Sequence, residues 1–210
     1  MDTGSNRFSG VDQEVLDEFL CLIRDYYSTA DNAYFFLEHH AGVSATNSSI
    51  ANLRDILSHL YSLLGEENLS STEQREQIAS AKEHIRRAIF EPYELALAVK
   101  ASQLNALLWR YRYQVVTLKV FRLFPMAPDI HVITGRITVI NELKTEARHR
   151  KRLNRMSEEW EEGVKINVDA FLKTLALCQE LDEHCLKAIP INLTVLLGVA
   201  GIVIGIFSII

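Results

Sequence analysis

Three neighbouring residues of the chain have the side chains that phosphate chemistry uses. Arg54 is followed directly by Asp55, and His59 comes five residues after Arg54. A guanidinium group is permanently charged and binds phosphate oxygens in bidentate geometry. An imidazole exchanges protons near neutral pH. We therefore treat Arg54, Asp55 and His59 as candidate catalytic residues. Asp55 lies four residues before His59, on the same helical face, where it would orient the imidazole.

The candidate residues lie on a predicted amphipathic helix. Its apolar side chains recur at steps of three and four: Ile50, Leu53, Ile56, Leu57, Leu60 and Leu64. A charged helix follows, with the sequence AKEHIRRA at 81–88. In this setting the chain resembles the HEPN superfamily, the small helical domains of many bacterial toxins and defence systems. The sequence RDILSH at 54–59 fits that family's pattern of Arg, a polar residue, three variable residues and His. The resemblance covers residues 11–125.

The resemblance implies a metal-independent ribonuclease without a cofactor, or a degenerate relative that binds RNA or a partner without cutting. Attack of a ribose 2′-hydroxyl on its own 3′-phosphate needs a proton acceptor, a proton donor and positive charge. His59 would be the general acid or base, and Arg54 would stabilise the phosphorane. The two side chains are about 140° apart on an ideal helix. The resemblance implies that two motifs pair across a dimer interface to complete the site.

A structural interpretation of the motif stays open. In it, Arg54 pairs on the surface with Asp55 or a neighbouring acid, and His59 packs near the end of its helix. No other catalytic motif competes with this stretch. The sequence contains no glycine-rich phosphate loop, no HExxH and no GxSxG. We predict no metal site.

The last 18 residues, 193–210, contain no charged side chain. As a helix they are about 27 Å long, close to the ~30 Å hydrocarbon thickness of a bilayer. Pro190 would lie in the first turn of this helix, where proline is tolerated. Residues 1–10 lack an apolar stretch of the signal-peptide type. We therefore expect a single-pass, tail-anchored membrane protein with the bulk of the chain in the cytoplasm.

The predicted membrane helix contains small residues that let transmembrane helices approach one another closely: Gly198, Gly201 and Gly205. Together with the pairing that the HEPN resemblance implies, they predict a homodimer or a higher homo-oligomer. The alternative is that these glycines serve no self-association.

Positive charge is concentrated between Lys100 and Arg155, which contain twelve Lys and Arg residues and three acids, a local net charge of +9. The rest of the chain carries a net charge of −14. Such a patch can bind RNA through its phosphates. The predicted RNA-binding residues are Arg148, Arg150, Lys151, Arg152 and Arg155. The alternative is a solvated helix face that pairs with the acids at 158–162.

Helical periodicity dominates the chain, which predicts an all-α fold: an antiparallel bundle of long helices with a C-terminal transmembrane helix. A capping box at Ser70 and Glu73 opens one long helix, and Pro92 should kink or break it. The β-rich stretch 132–140 (VITGRITVI) is assigned to a helix, because a single strand would have no partner. The predicted segments are a polar tail (1–10), a HEPN-like helical domain (11–125), a basic and acidic helical extension (126–189) and the membrane anchor (190–210).

These features together predict a membrane-anchored HEPN-like effector of a bacterial defence or toxin system that acts on RNA. A rival hypothesis is a non-enzymatic oligomeric effector whose C-terminal helices form a pore or lesion in the membrane. The ribonuclease hypothesis requires Arg54 and His59 from two chains to converge on one polar cleft. The pore hypothesis requires only a ring of C-terminal helices.

Overall fold

The computed structural model describes residues 11–44, 47–65, 69–120, 127–152 and 158–207. Nearly all of these residues are helical: α1 is Gln13–Phe36, α2 Asn47–Gly65, α3 Ser71–Tyr111, α4 Thr117–Val120, α5 Ile130–Arg152 and α6 Glu158–Phe207. Short π-helical turns follow α1 at Leu37–Ala41 and α3 at Arg112–Val116. The described residues contain no strand, and α5 includes the β-rich stretch 132–140. The predicted all-α fold is confirmed.

Local hydrogen bonds explain where the first helices begin. The Asp12 carboxylate accepts a hydrogen bond from the Glu14 backbone N–H at 3.0 Å and caps α1. At the start of α3, the Ser70 hydroxyl accepts from the Glu73 N–H at 3.3 Å, while the Glu73 carboxylate accepts from the Ser70 N–H at 2.8 Å. This reciprocal pair is the predicted capping box.

The chain forms two compact units. The first unit is built from residues 1–96 and 150–164, and the second from residues 97–149 and 165–210. Helices α3, α5 and α6 therefore each contribute to both units. The segment boundaries predicted at 125/126 and 189/190 follow charge and hydropathy along the chain, not packing, and they stay a prediction.

In the first unit, α2 runs antiparallel to the first half of α3. Their contacts join His59 to Gln77 and Asn52 to Glu91, so the residue numbers rise on one helix as they fall on the other. The buried core beneath these contacts includes side chains from α1, α2, α3 and α6: Phe19, Leu22, Ile56, Leu63, Ile78, Ala81, Ile85, Phe90 and Trp160. This core sets the rotation of α2 against α3.

Pro92 lies inside α3, which continues through it to Tyr111. The break predicted at Pro92 is therefore wrong. A proline removes one backbone N–H from a helix and costs about 3 kcal/mol. The neighbouring side chains of Ile89, Phe90 and Tyr93 are buried, and Pro92 is buried with them. We attribute the continuity of α3 to this burial, which offsets the lost hydrogen bond.

In the second unit, the later part of α3 runs parallel to α6. Arg110 pairs with Asp182 at 3.4 Å, and the backbone carbonyl of Lys100 lies 3.8 Å from Sγ of Cys178. The fully buried Tyr111 donates a hydrogen bond from its hydroxyl to the Pro128 carbonyl at 2.7 Å. Burial raises the pKa of Tyr111 to about 12. Tyr111 therefore stays a neutral hydrogen-bond donor and ties the turn before α5 to the core.

Gly163 marks a close approach between elements of the first unit. A Cβ at this position would lie 2.9 Å from the ring of the buried Phe90 and 3.1 Å from Cβ of Arg150. At Gly135, in the exposed part of α5, a Cβ would meet nothing within 4 Å. Both glycines are helical, so the effects of replacing each with alanine can be compared directly.

We expect Gly163→Ala to destabilise the protein by about 1 to 2 kcal/mol, since overpacking outweighs the helix propensity of alanine. Gly135→Ala should stabilise it by about 0.5 to 1 kcal/mol. Urea unfolding in detergent, followed by circular dichroism, measures both changes. Equal gains at the two positions would contradict the close contact at Gly163.

Candidate active site

Arg54 and Asp55 form an ion pair on the surface of α2. Nε and Nη2 of Arg54 lie 3.3 and 3.2 Å from Oδ1 of Asp55. The Arg54 side chain is 75 % exposed and that of Asp55 is 35 % exposed. Exposed ion pairs contribute only about 0 to 1 kcal/mol to stability. The guanidinium can therefore exchange Asp55 for another anion at little cost.

His59 is partly buried and turns towards α3. Its Nδ1 lies 2.7 Å from Oε1 of Gln77. Asp55, which we expected to orient this ring, directs its Oδ2 instead to Nδ1 of His84 on α3, at 3.8 Å. Gln77 therefore holds the ring of His59, and Asp55 connects Arg54 to His84.

The rings of His59 and His84 lie beside each other, with their centroids 5.3 Å apart and their planes inclined by 32°. Nδ1 of His84 lies 3.3 Å from Oδ1 of the buried Asn52. The amide nitrogen of Asn52 donates to Oε2 of Glu91 at 3.0 Å. Two imidazoles, a carboxylate and a guanidinium thus lie along one edge of the α2–α3 pair.

The surroundings of His84 disfavour its charged form. Burial is the largest effect and lowers the pKa of His84 below its ordinary value. The nearby charges of His59 and Arg87 act in the same direction, whereas Asp55 and Glu83 act against it. His84 therefore takes up a proton less readily than an ordinary histidine.

The sequence interpretation missed His84, Asn52 and Gln77 as site residues. The signal that could have found them is a polar repeat on α3. Gln77, His84 and Glu91 follow one another at intervals of seven residues, beside the apolar residues Ile78 and Ile85. Residues seven apart share a helix face. A repeated polar position beside an apolar stripe indicates that these side chains meet a neighbouring helix.

The four predicted RNA-binding residues that the structure describes fall into two groups. Arg150 pairs with Glu159 at 2.9 Å, and Lys151 pairs with Glu94 at 3.0 Å, both within the first unit. Arg148 and Arg152 are exposed on α5. Arg155 lies outside the described residues. Arg150 and Lys151 therefore have structural partners, and Arg148 and Arg152 are the members that present charge to solvent.

Helix α6 continues through Pro190 to Phe207, so Pro190 is not in the first turn of a separate helix as we expected. Among the described residues, α6 is the one helix long and apolar enough to cross a membrane. Only 11 % of its most apolar stretch of 18 residues is buried. Large apolar side chains are exposed towards its end: Leu193, Leu196, Leu197 and Val199. A buried core helix would not expose such a surface.

The predicted packing glycines of the tail lie on this same helix. Gly198, Gly201 and Gly205 follow one another at steps of three and four, so they share one face of α6. A Cβ at Gly198 would meet nothing within 4 Å. There is therefore open space beside α6 at Gly198.

Comparisons of the chain with protein-family models, with curated proteins and with solved structures find no significant match. Within the described residues, no group of three or more His, Cys, Asp and Glu side chains is arranged to hold a metal ion. The chemistry that we assign to the site is therefore argued from its own geometry.

The lowered pKa of His84 predicts that stability falls as the pH drops below 6.5, the ordinary value. The unfolded chain takes up the proton at a higher pH than the folded chain, so acid favours unfolding. His84→Gln removes this titration and should lose less stability than the wild type between pH 8 and pH 5. Urea unfolding at both pH values measures the difference.

If His84→Gln shows the same pH dependence of stability as the wild type, then His84 does not titrate differently in the folded protein.

Proposed function

We propose that this protein is a membrane-anchored, metal-independent ribonuclease of the HEPN type that acts in a bacterial defence or toxin system. The observation that carries the proposal is the position of His59 beside His84, next to the Arg54–Asp55 pair. Cleavage of RNA through its own 2′-hydroxyl needs two proton-transfer groups and a cation at the phosphate. The edge of α2 and α3 holds side chains of all these types.

Arg54 supplies the positive charge in this proposal. A phosphate of the substrate displaces Asp55 from the exposed guanidinium and accepts its two parallel hydrogen bonds. The edge of α2 and α3 is also the surface to which a second copy would bring its own motif, as in the pairing that the HEPN resemblance implies. Exposed basic side chains such as Arg148 and Arg152 attract RNA through its phosphates without reading sequence.

The membrane part of the proposal rests on the end of α6. Its apolar surface, which is exposed from Leu193 to Val199, enters the bilayer and leaves the bulk of the chain in the cytoplasm. The shared face of Gly198, Gly201 and Gly205 lets the spans of two or more copies pack closely. Anchoring also raises the local concentration of one copy near another, which favours the proposed homo-oligomer.

His59→Ala and Arg54→Ala should each reduce RNA cleavage by about 10²- to 10⁴-fold, the scale expected for an acid–base or electrostatic group. Both variants should fold, because neither side chain belongs to the buried core of the first unit. The measurement is cleavage of a labelled RNA by the detergent-solubilised full chain without added metal.

Matched controls exist for both residues. Arg24 forms the same type of exposed pair with the next residue, Asp25, on α1, where its Nε lies 2.8 Å from Oδ1. Arg24→Ala should leave cleavage unchanged, as should His131→Ala on the exposed face of α5. Loss of activity in these controls as well would contradict the assignment of the site.

The rival function, a membrane lesion, is favoured by the open space at Gly198 and by the exposed apolar side chains between Leu193 and Val199. Dye release from lipid vesicles distinguishes the two functions. If release persists in Arg54→Ala and His59→Ala but is lost in Gly201→Leu, and if RNA is not cut, the pore hypothesis replaces the ribonuclease.

Removing residues 193–210 should release the protein from membranes without unfolding it. Ile191 packs against the core of the second unit, and the Asn192 side chain donates to the Gln114 carbonyl at 3.4 Å. A cut after Asn192 keeps both contacts and removes only the apolar end. Sedimentation with vesicles and circular dichroism measure the outcome. Aggregation of the truncated chain, together with detergent-free solubility of the full chain, would show that the segment is part of the core.

A further inference from the structure

We propose that His84 is the general base of this site and His59 its general acid, and that Asn52 and Glu91 hold His84 in the tautomer that a base requires. The inference rests on the proposed function, since it divides the proton transfers of that same site between two residues of one chain. It assigns a catalytic role to His84, which lies outside the Arg54–His59 motif.

The tautomer of His84 follows from a chain of three polar groups. The Glu91 carboxylate accepts only, so the group that Asn52 directs to it at 3.0 Å is the NH₂. The other end of the amide, Oδ1, then faces Nδ1 of His84 at 3.3 Å and can only accept. Nδ1 must therefore carry the proton. A neutral imidazole with its proton on Nδ1 has its lone pair on Nε2, which is the form of a general base.

The imidazolium that forms when His84 takes up a proton also has a partner. Oδ2 of Asp55 lies 3.8 Å from Nδ1 of His84 and stabilises the new positive charge. Burial keeps His84 neutral before the reaction by lowering its pKa. The site thus favours the neutral base in the resting state and has a carboxylate in place for the charged product.

His59 is held in the complementary role. Its Nδ1 donates to Oε1 of Gln77 at 2.7 Å, so a second proton on this ring is carried by Nε2 and can be donated. The His59 ring lies beside that of His84, with the two centroids 5.3 Å apart, so both residues can serve the same phosphate group.

The reaction balances without any further reactant. Nε2 of His84 accepts the proton of the ribose 2′-hydroxyl, and the 2′-oxygen forms a bond to phosphorus. The bond between phosphorus and the 5′-oxygen of the next nucleotide breaks. That oxygen takes the proton from Nε2 of His59. The products are a 2′,3′-cyclic phosphate and a free 5′-hydroxyl. Proton exchange with water then removes the proton from His84 and returns one to His59.

Two substrates distinguish the role of the general base from that of the general acid. One is a ribodinucleotide, whose 5′-alkoxide needs a proton to leave. The other is the matching nucleoside 3′-(4-nitrophenyl phosphate), whose phenolate leaves without one. With the detergent-solubilised full chain, His59→Ala should lose about 10²- to 10⁴-fold on the dinucleotide but little on the aryl ester. His84→Ala should reduce the cleavage rate of both substrates to a similar extent.

Each outcome decides between the hypotheses. If the wild type cleaves neither substrate, the proposed function fails. If the wild type cleaves both and His84→Ala does so equally well, the function stands and the role of His84 is wrong. If His84→Ala loses only the dinucleotide reaction, His84 is the acid, and the proposed division is overturned.

The residues that hold the rings provide a matched pair of positioning variants. Asn52→Leu should lower kcat on both substrates with KM unchanged, because it releases the His84 ring. Gln77→Leu should lower kcat on the dinucleotide alone, because it releases only the acid. Equal effects of the two variants on both substrates would show that they act through folding and would overturn the positioning roles.

A measurement on the wild-type protein does not depend on any variant folding. Nitrogen NMR of the ¹⁵N-histidine-labelled full chain distinguishes the two neutral tautomers of each imidazole. His84 should show a protonated Nδ1 and an unprotonated Nε2 at neutral pH. A proton on Nε2 in the neutral ring would overturn its assignment as the base.

Discussion

The apolar contact between α2 and α3 is the constraint on which the candidate site depends. Ile56 and Leu63 from α2 pack with Ile78 and Ile85 from α3 in one buried cluster. Because helical neighbours recur every three to four residues, this cluster also fixes the positions just beside it. Those positions carry the polar side chains of the site: Asn52, Asp55 and His59 on α2, and Gln77, His84 and Glu91 on α3. The core thus sets the distances on which the chemistry rests.

Much of the fold could be predicted from the sequence, because the relevant interactions are local. The capping box at Ser70 and the apolar steps of α2 use residues within a few positions of one another, and the structure has both. Pro92 shows the limit of local reasoning. A proline is unfavourable within a helix by itself, but the burial on both sides of it depends on residues far along the chain. The prediction failed where tertiary packing outweighed a local rule.

The candidate site also combines residues that local sequence identifies with residues whose position depends on tertiary packing. Arg54, Asp55 and His59 could be found because they lie in one short stretch. His84 could not be assigned, since its meeting with His59 depends on the register of two helices, 25 residues apart in the sequence. The basic stretch behaves similarly. Its net charge is visible in the sequence, but the pairing of Lys151 with Glu94 across 57 residues is not. A count of charges along a chain includes basic side chains that are paired with distant acids. Only the basic side chains without such an acidic partner are available to attract an anion.

The exposed Arg54–Asp55 pair connects the two interpretations of the motif that the sequence left open. The ion pair that a purely structural interpretation expects is present. Because the pair is exposed, however, it contributes little to stability, so a phosphate can displace Asp55 from the Arg54 guanidinium. A phosphate that takes over the guanidinium leaves the Asp55 carboxylate without its cation, and His84, whose Nδ1 lies 3.8 Å from Oδ2 of Asp55, is a group that can become positive. Binding of the substrate anion would then raise the proton affinity of His84 at the moment when a base is needed. In the proposed mechanism, the Arg54–Asp55 pair would be the resting state of the site, and Asp55 would couple phosphate binding to proton uptake.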